Sequence, residues 1–389
     1  MDLPELRRVL LDLTGPDAPV PDLTAADWAE LDRIAAQHRL QPLLHSLHRG
    51  KAGVPAEIAD AWQAAHRFHA MQAMVQRAEL LETCAILARE GIAAVALKGA
   101  WLAARAYPDP ALRPMRDIDL LVPQADVIRA FEALQAAGYC QAEASELTLD
   151  AIVRIDKHMP PLTAPRGTMI ELHHRLWERD GRLDHASPTA SEADVLARAI
   201  RGEDGIGYPA AEDLLGHVIV HAVYSHRLDV GPLVLSDVEH LLRAAPVDWT
   251  RFWAAADANH WRDGARLILE LVGRYRPGVW IDFSADAGPP APPELLEAAP
   301  DLLLQDLATR ASAGLAAKTI KQGPAGLAER ITGRRKVAGE AVVTRAATGP
   351  GGMLGWAGSR TLRSLRELAR ADVRRQSRQL AALSQWLDR

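Results

Sequence analysis

Residues 113–122 read "RPMRDIDLLV". The apolar end has the composition of a buried strand, yet the stretch holds two arginines and two carboxylates set two residues apart. Side chains alternate faces along a strand, so Asp117 and Asp119 point one way while Ile118 and Leu120 point into a core. Two carboxylates on one face repel each other unless positive charge lies between them. One solution is an ion pair with Arg113 and Arg116. The other is a divalent cation, since Mg²⁺ takes one or two carboxylates together with phosphate oxygens.

The neighbouring sequence bears on that choice. Upstream, "GIAAVALKG" (91–99) is a short apolar run bounded by glycines, which predicts a buried strand. It ends at Lys98-Gly99 and passes directly into "AWLAARAY", a short helix stopped by Pro108 and Pro110. A glycine allows close approach of the backbone, a helix start offers free N–H groups, and a lysine stands beside them. Together these suit a polyphosphate. Ala100, next in line, keeps a backbone donor but brings no hydroxyl.

Downstream, "PQADVIRAFEALQAAGY" predicts a helix. "AIVRIDKHMPPL" (151–162) and "TMIELHHRL" (168–176) predict two strands joined antiparallel through "TAPRG". Glu171 and His173 share a face of the second, which makes Glu171 a candidate third carboxylate. His173 touches phosphate, orients Glu171 or is a satisfied strand-edge histidine, whereas His174 points away as a strand-edge histidine. His158, with Lys157, is placed on the adjoining strand, either toward nucleotide or acceptor or at a solvated edge.

The flanks read as helical. Thr24 is a candidate N-cap with Asp27 three residues on, and a long helix runs from about residue 55 to 89 and stops at Gly91. Helical texture returns from about residue 209. A chain of 389 residues exceeds one ordinary core. The expected division is a helical region at 1–90, a sheet-containing unit at 91–180, a helical domain at 181–300 and a basic helical region at 301–389. Trp28, Trp62, Trp253 and Trp261 fall at apolar helix positions and are expected in the core. His217 and His221 share a helix face, which either packs on the sheet unit or, with His226 and Asp237, binds metal or lines an acceptor pocket. Arg227 and Asp237 are expected to form an ion pair or to help close the nucleotide cleft.

Residues 318–389 hold fifteen Lys and Arg against five Asp and Glu. Their final helix, with Leu362, Leu365, Leu368 and Val373 in a stripe, either packs on the body or meets an anionic partner such as RNA or a membrane surface. Two cysteines, Cys84 and Cys140, make no disulfide framework, no signal-peptide layout is visible, and no apolar run spans a bilayer. A cytoplasmic protein without a transmembrane segment is the expectation.

The ordered set of strand–Lys-Gly–helix, a strand with Asp-x-Asp and a later strand with a lone Glu resembles the DNA polymerase beta-like nucleotidyltransferase superfamily. More narrowly, "LKGAWLAARAYPDPALRPMRDIDLLV", "HMPPL", "IELHHRLW" and "HAVYSHRL…LSDVEHLL" resemble the bacterial uncharacterised nucleotidyltransferase family (nucleotidyltransferase type 5), over roughly residues 30–275. That resemblance implies an α+β fold, with a minimal nucleotidyltransferase mixed sheet and its flanking helices embedded in mainly helical N- and C-terminal regions. It implies that Asp117, Asp119 and Glu171 are catalytic and bind metal, Mg²⁺ or Mn²⁺, and that Lys98, Gly99 and Ala100 meet nucleotide phosphates. Arg113 and Arg116 then become phosphate contacts, with His158 and His173 beside them. Where superfamily members carry Gly-Ser or Gly-Gly, this chain has Gly99-Ala100.

The activity implied is transfer of a nucleoside monophosphate from an NTP, by a two-metal mechanism, to a hydroxyl or phosphate of a small molecule, peptide or RNA. The alternatives are transfer to a protein or peptide, and a non-catalytic nucleotide sensor or scaffold. Asp119→Asn is expected to abolish transfer while sparing the fold.

Overall fold

Four helices come first, α1 (Leu3–Leu13), α2 (Ala25–Gln37), α3 (Gln41–His48) and α4 (Ala56–Arg89). Thr24 caps α2 as its sequence predicts: its hydroxyl oxygen accepts from the Asp27 N–H and its proton goes to the Asp27 carboxylate. α4 ends before Gly91, whose φ of 70° favours a residue without a side chain. Then come β1 (Val95–Ala96), α5 (Lys98–Trp101), β2 (Asp117–Leu121), α6 (Val127–Ala136), β3 (Cys140–Gln141), α7 (Leu149–Ile155), β4 (Leu162–Thr163) and β5 (Met169–His173). After α8 (Glu192–Ala197), β6 (Ile200–Arg201) and β7 (Gly207–Tyr208), the chain is again helical. It forms α9 (Ala211–Val220), α10 (Leu233–Ala244), α11 (Trp249–Ala258), α12 (Arg262–Tyr275), α13 (Pro293–Leu303) and α14 (Arg310–Gln322). A ribbon of β8 (Arg334–Val337) and β9 (Glu340–Val343) and a last helix, α15 (Ala371–Leu387), follow. This computed structural model describes residues 1–142, 147–177, 192–283, 285–322, 334–337, 340–343 and 371–388.

Seven strands form one mixed sheet in the order β3-β4-β5-β2-β1-β7-β6, with β2–β5 and β1–β7 parallel and the other pairs antiparallel. The fold is α+β with helices flanking the sheet, as the sequence pattern implies. Two local readings change. The sheet continues past residue 180, because β6 and β7 pair beyond β1. "AIVRIDKHMPPL" is not one strand: its first half belongs to α7, and only Leu162 enters β4. The Thr148 hydroxyl oxygen accepts from the Ala151 N–H and starts the helix, a capping contact that outweighs the strand preference of Ile152 and Val153.

One face of the sheet is apolar. Ile118, Leu120, Val122, Ile170 and Leu172 are fully buried there with Leu80 and Leu87 of α4 and Phe131 and Leu134 of α6. Each such side chain contributes roughly 1.5–3 kcal/mol on burial, and the alternation that buries them turns Asp117 and Asp119 to the opposite face. A second, larger core draws on both ends of the chain, joining Leu10, Leu31 and Trp62 to Leu215, Leu235, Ile268, Leu302 and Leu383. The four tryptophans expected inside are buried.

α15 packs its apolar side against the body. Val373, Leu380, Leu383, Trp386 and Leu387 are buried, and Asp301 of α13 pairs with Arg375 at 3.0 Å and with Arg7 of α1 at 2.8 Å. Leu362, Leu365 and Leu368 lie outside the described residues. Among the described residues, no helix is long and apolar enough to cross a membrane.

Candidate active site

The two strands that carry the carboxylates are neighbours, parallel and in register. Asp119 stands opposite Glu171, Asp117 opposite Met169 and Leu121 opposite His173. Same-face residues two apart on adjoining strands lie close enough to interact, so Asp117, Asp119, Glu171 and His173 form one polar patch. Leu97 donates its N–H to the Asp119 carbonyl, which sets the end of β1 against the same point of β2. Lys98 follows at once, with its backbone in the left-handed region (φ 41°), a sterically costly conformation for a lysine.

Asp119 is the hub. Its Oδ1 accepts from Lys98 Nζ at 3.1 Å and from His173 Nε2 at 2.8 Å. His173 Nε2 also lies 3.4 Å from Glu171 Oε2, and His158 Nε2 lies 3.9 Å from the same oxygen. Asp119, Lys98 and His173 are all buried. Burial by itself would raise the Asp119 pKa, but the Lys98 ammonium and the His173 hydrogen bond hold its carboxyl well below the ordinary range. Glu171 is likewise lowered: burial pushes it up, but the His173 hydrogen bond and the charges of His158 and His173 together outweigh burial and the Asp119 charge. Asp117 goes the other way. Burial, then the charges of Asp119 and Glu171, raise it to about 6. One carboxylate of the patch is therefore neutralised by built-in cations and its neighbour is not.

Asp119, Glu171 and His173 each bring a donor atom within 4.8 Å of the others. His173 Nε2 lies 2.8 Å from Asp119 Oδ1 and 3.4 Å from Glu171 Oε2, inside the roughly 4.4 Å that two bonds of about 2.2 Å to one ion can span, so the donor set fits a divalent cation.

The remaining sequence-predicted residues divide. Gly99 is buried where the chain before β2 crosses it: a Cβ built there would lie 2.7 Å from Arg113 Nη1 and 2.9 Å from Met115 Sδ. The close approach that the glycine permits is thus made by this chain's own segment. Gly99→Ala should cost about 1–3 kcal/mol of overpacking, read as a lower urea midpoint with unchanged slope. Ala100 is buried in the sheet core, and its N–H goes to the Leu97 carbonyl at 3.1 Å.

Neither Arg113 nor Arg116 pairs with the aspartates among the described residues. Arg113 makes two bonds to Asp237 of α10, from Nε at 3.1 Å and Nη2 at 2.9 Å, and the Tyr107 hydroxyl donates to the same carboxylate at 2.8 Å. The expected Arg227–Asp237 pair is therefore replaced. Arg227, in a left-handed turn (φ 49°), points its guanidinium at the Val223 and Tyr224 carbonyls instead. Arg116 is exposed at the edge of the patch.

His158 reaches the patch by pairing its backbone with His173, although it lies outside a regular strand. His174 is buried away from it, and burial pushes it down to about 4. His217 is buried on α9, and His221 is half-buried on the wide helical turn after it. Burial, then the Lys98 charge, keeps both imidazoles neutral well below the ordinary range.

Arg39 is a residue that sequence reasoning passed over. It ends α2 in the left-handed conformation (φ 55°), half-buried, and among the described residues its side chain forms no hydrogen bond or ion pair. Burial, then the charges of Arg116 and Arg113, lower its pKa to about 10, and the Asp117 charge acts against them. Its sequence signal is slight: one arginine after a helix, far from the Asp-x-Asp strand in the chain.

A family model described as uncharacterised nucleotidyltransferase matches residues 24–277, more than half of the chain, and the chain belongs to that family. No curated protein and no solved structure matches it.

Proposed function

We propose that this member of the uncharacterised nucleotidyltransferase family transfers a nucleoside monophosphate from an NTP to a hydroxyl or phosphate acceptor. The observation that carries the reading is the in-register pair Asp119–Glu171 on adjacent parallel strands, with Asp117 on the same face and Lys98 bonded to Asp119. In this reading Asp117 and Asp119 would hold the cation that accompanies the triphosphate. Asp119 and Glu171 would hold one on the acceptor side. A bound Mg²⁺ or Mn²⁺ supplies charge neutralisation and polarisation at the transferred phosphoryl group.

The acceptor oxygen bonds to the α-phosphorus as the α–β bridging oxygen leaves with pyrophosphate, and Glu171 helps to take up the acceptor's proton. Such a transfer needs positioning and charge more than covalent help. Lys98 is already at the patch, and its ammonium turns from Asp119 to the phosphates as the nucleotide binds. Arg116 and Arg39 lie around Asp117 with no carboxylate partner of their own among the described residues, and they bind the departing pyrophosphate. Gly99 serves this arrangement by letting Arg113 and Met115 close over the turn.

Two measurements follow. Arg39→Gln should weaken NTP binding tenfold to a hundredfold, about 1.5–3 kcal/mol for a lost charged hydrogen bond, in a calorimetric titration; unchanged affinity removes Arg39 from the site. For the reading itself, each of the four NTPs is incubated with Mg²⁺ or Mn²⁺ and pyrophosphate is followed. Chelator-sensitive release supports transfer from the α-phosphorus, and release of inorganic phosphate alone contradicts it.

A further inference from the structure

We propose that His173 is itself a metal ligand through Nε2, and that the cluster Asp119–Glu171–His173 therefore takes Mn²⁺ in preference to Mg²⁺. This deepens the functional reading above and rests on it for the presence of a cation at the cluster.

The geometry is specific to this ring. Its Nε2 faces both carboxylates, 2.8 Å from Asp119 Oδ1 and 3.4 Å from Glu171 Oε2. Its Nδ1 is buried and has no hydrogen-bond partner among the described residues, so the polar contacts of the ring run through the nitrogen inside the cluster. Ligation uses the Nε2 lone pair, so the proton that this nitrogen gives to Asp119 leaves it as the ion binds, and the neutral ring carries its one N–H on Nδ1. The ring is held from behind: it is 1% exposed, its backbone pairs with His158, and the His158 ring sits 5.1 Å away. It therefore cannot easily swing out of the cluster when a cation enters.

The donor chemistry then selects the ion. Two carboxylate oxygens and one imidazole nitrogen make a mixed set. Mg²⁺ demands hard oxygen donors in near-ideal octahedral geometry and gives up water reluctantly. Imidazole suits softer divalent ions, and Mn²⁺ is the ion that accepts carboxylate, water and phosphate oxygens while lying within the first transition series. The third potential carboxylate, Asp117, stands outside the triad of donor atoms that meet within 4.8 Å, so the nitrogen completes the set there.

The test uses the full chain loaded with Mn²⁺ and electron spin echo envelope modulation, which detects a nitrogen bonded to the ion independently of turnover. The wild type should show imidazole nitrogen modulation, His173→Gln should lose it, and His158→Gln and His221→Gln should keep it. Competition against Mg²⁺ should show tighter Mn²⁺ binding in the wild type. Bound Mn²⁺ without nitrogen modulation, or modulation that persists in His173→Gln, overturns the ligand assignment and leaves the transfer reading standing. No bound Mn²⁺, with or without NTP, overturns the ligand assignment, and the transfer reading falls with it only if pyrophosphate release with Mg²⁺ is absent as well. If His173→Gln does not fold, modulation lost in either of the other two variants overturns the assignment, and modulation kept in both supports it.

Discussion

Asp117→Asn should abolish transfer and at the same time stabilise the chelator-treated protein. In the wild type, burial and the charges of Asp119 and Glu171 raise the Asp117 carboxyl to about 6, against an ordinary value of 3.8. The ionised form therefore costs the fold stability at neutral pH. Two units at about 1.4 kcal/mol each give an upper bound of about 3 kcal/mol. Asparagine keeps the volume and removes the charge, so the unfolding midpoint should rise at pH 7. The sign fixes the window: this destabilisation is absent below about pH 4, sets in as pH rises toward 6, and is flat above. Wild type and variant should thus converge in acid and diverge between pH 4 and 6. Turnover should fall on the order of a thousandfold or more, about 4 kcal/mol of transition-state stabilisation. A variant that is both less stable and fully active would contradict the assignment.

Asp119→Asn should cause the same loss of transfer with the opposite effect on the fold. The sequence alone suggests that this change spares the structure. The structure revises that, because the Asp119 carboxylate compensates a buried ammonium and a buried imidazole. Its side chain is 6% exposed and that of Lys98 11%. Removing one partner of a buried pair costs about 3–5 kcal/mol, since it strands the other charge. Here the pH window lies lower. Asp119 is held below its ordinary range, so its contribution is present above about pH 4 and is lost as pH falls further. Chemical denaturation of the two variants side by side at pH 7 checks the contrast: Asp117→Asn above the wild type, Asp119→Asn below it. Equal shifts would show that the two carboxylates do not occupy different electrostatic positions.

How far the sequence carries this account depends on whether each feature is local. The alternation in "DIDLLV" identifies β2 and its two faces, because a period of two leaves no choice once Ile118 and Leu120 are buried. The helix caps at Thr24 and Gly91 are equally local. The in-register meeting of Asp119 and Glu171 is not, since the chain between them passes through α6, β3, α7 and β4 before β5 pairs parallel to β2. Sequence marks Glu171 as a candidate only by its place in a strand-like run.

The misreading of residues 151–155 has a physical cause as well. "AIVRI" has strand composition, and the Thr148 cap that makes it helical lies just before the stretch. The exchange of Asp237 partners is of the same kind: Arg113 and Arg227 are equivalent as charges, and only the tertiary arrangement puts Arg113 and Tyr107 against α10. Arg39 is the furthest from sequence legibility, for its electrostatic neighbours Asp117, Arg116 and Arg113 stand far from it in the chain.

Two π-type helical turns among the described residues, Leu102–Ala106 after Lys98 and His221–Ser225 after α9, add a further point that periodicity does not expose. Such turns occur often at functional sites. Here one begins four residues beyond Lys98 and the other begins on a histidine whose electrostatic neighbours include Asp119 and Lys98.

The measurement that bears most directly on the central claim follows which phosphorus moves. Wild type, Asp117→Asn and Asp119→Asn are incubated with NTP labelled at the α- or the γ-phosphate, with Mg²⁺ or Mn²⁺, and with cell lysate as a source of acceptors. The account predicts that α-label enters an acceptor with matching pyrophosphate release in the wild type, and in neither variant. Transfer of γ-label, or α-label transfer that survives in Asp119→Asn, would contradict it.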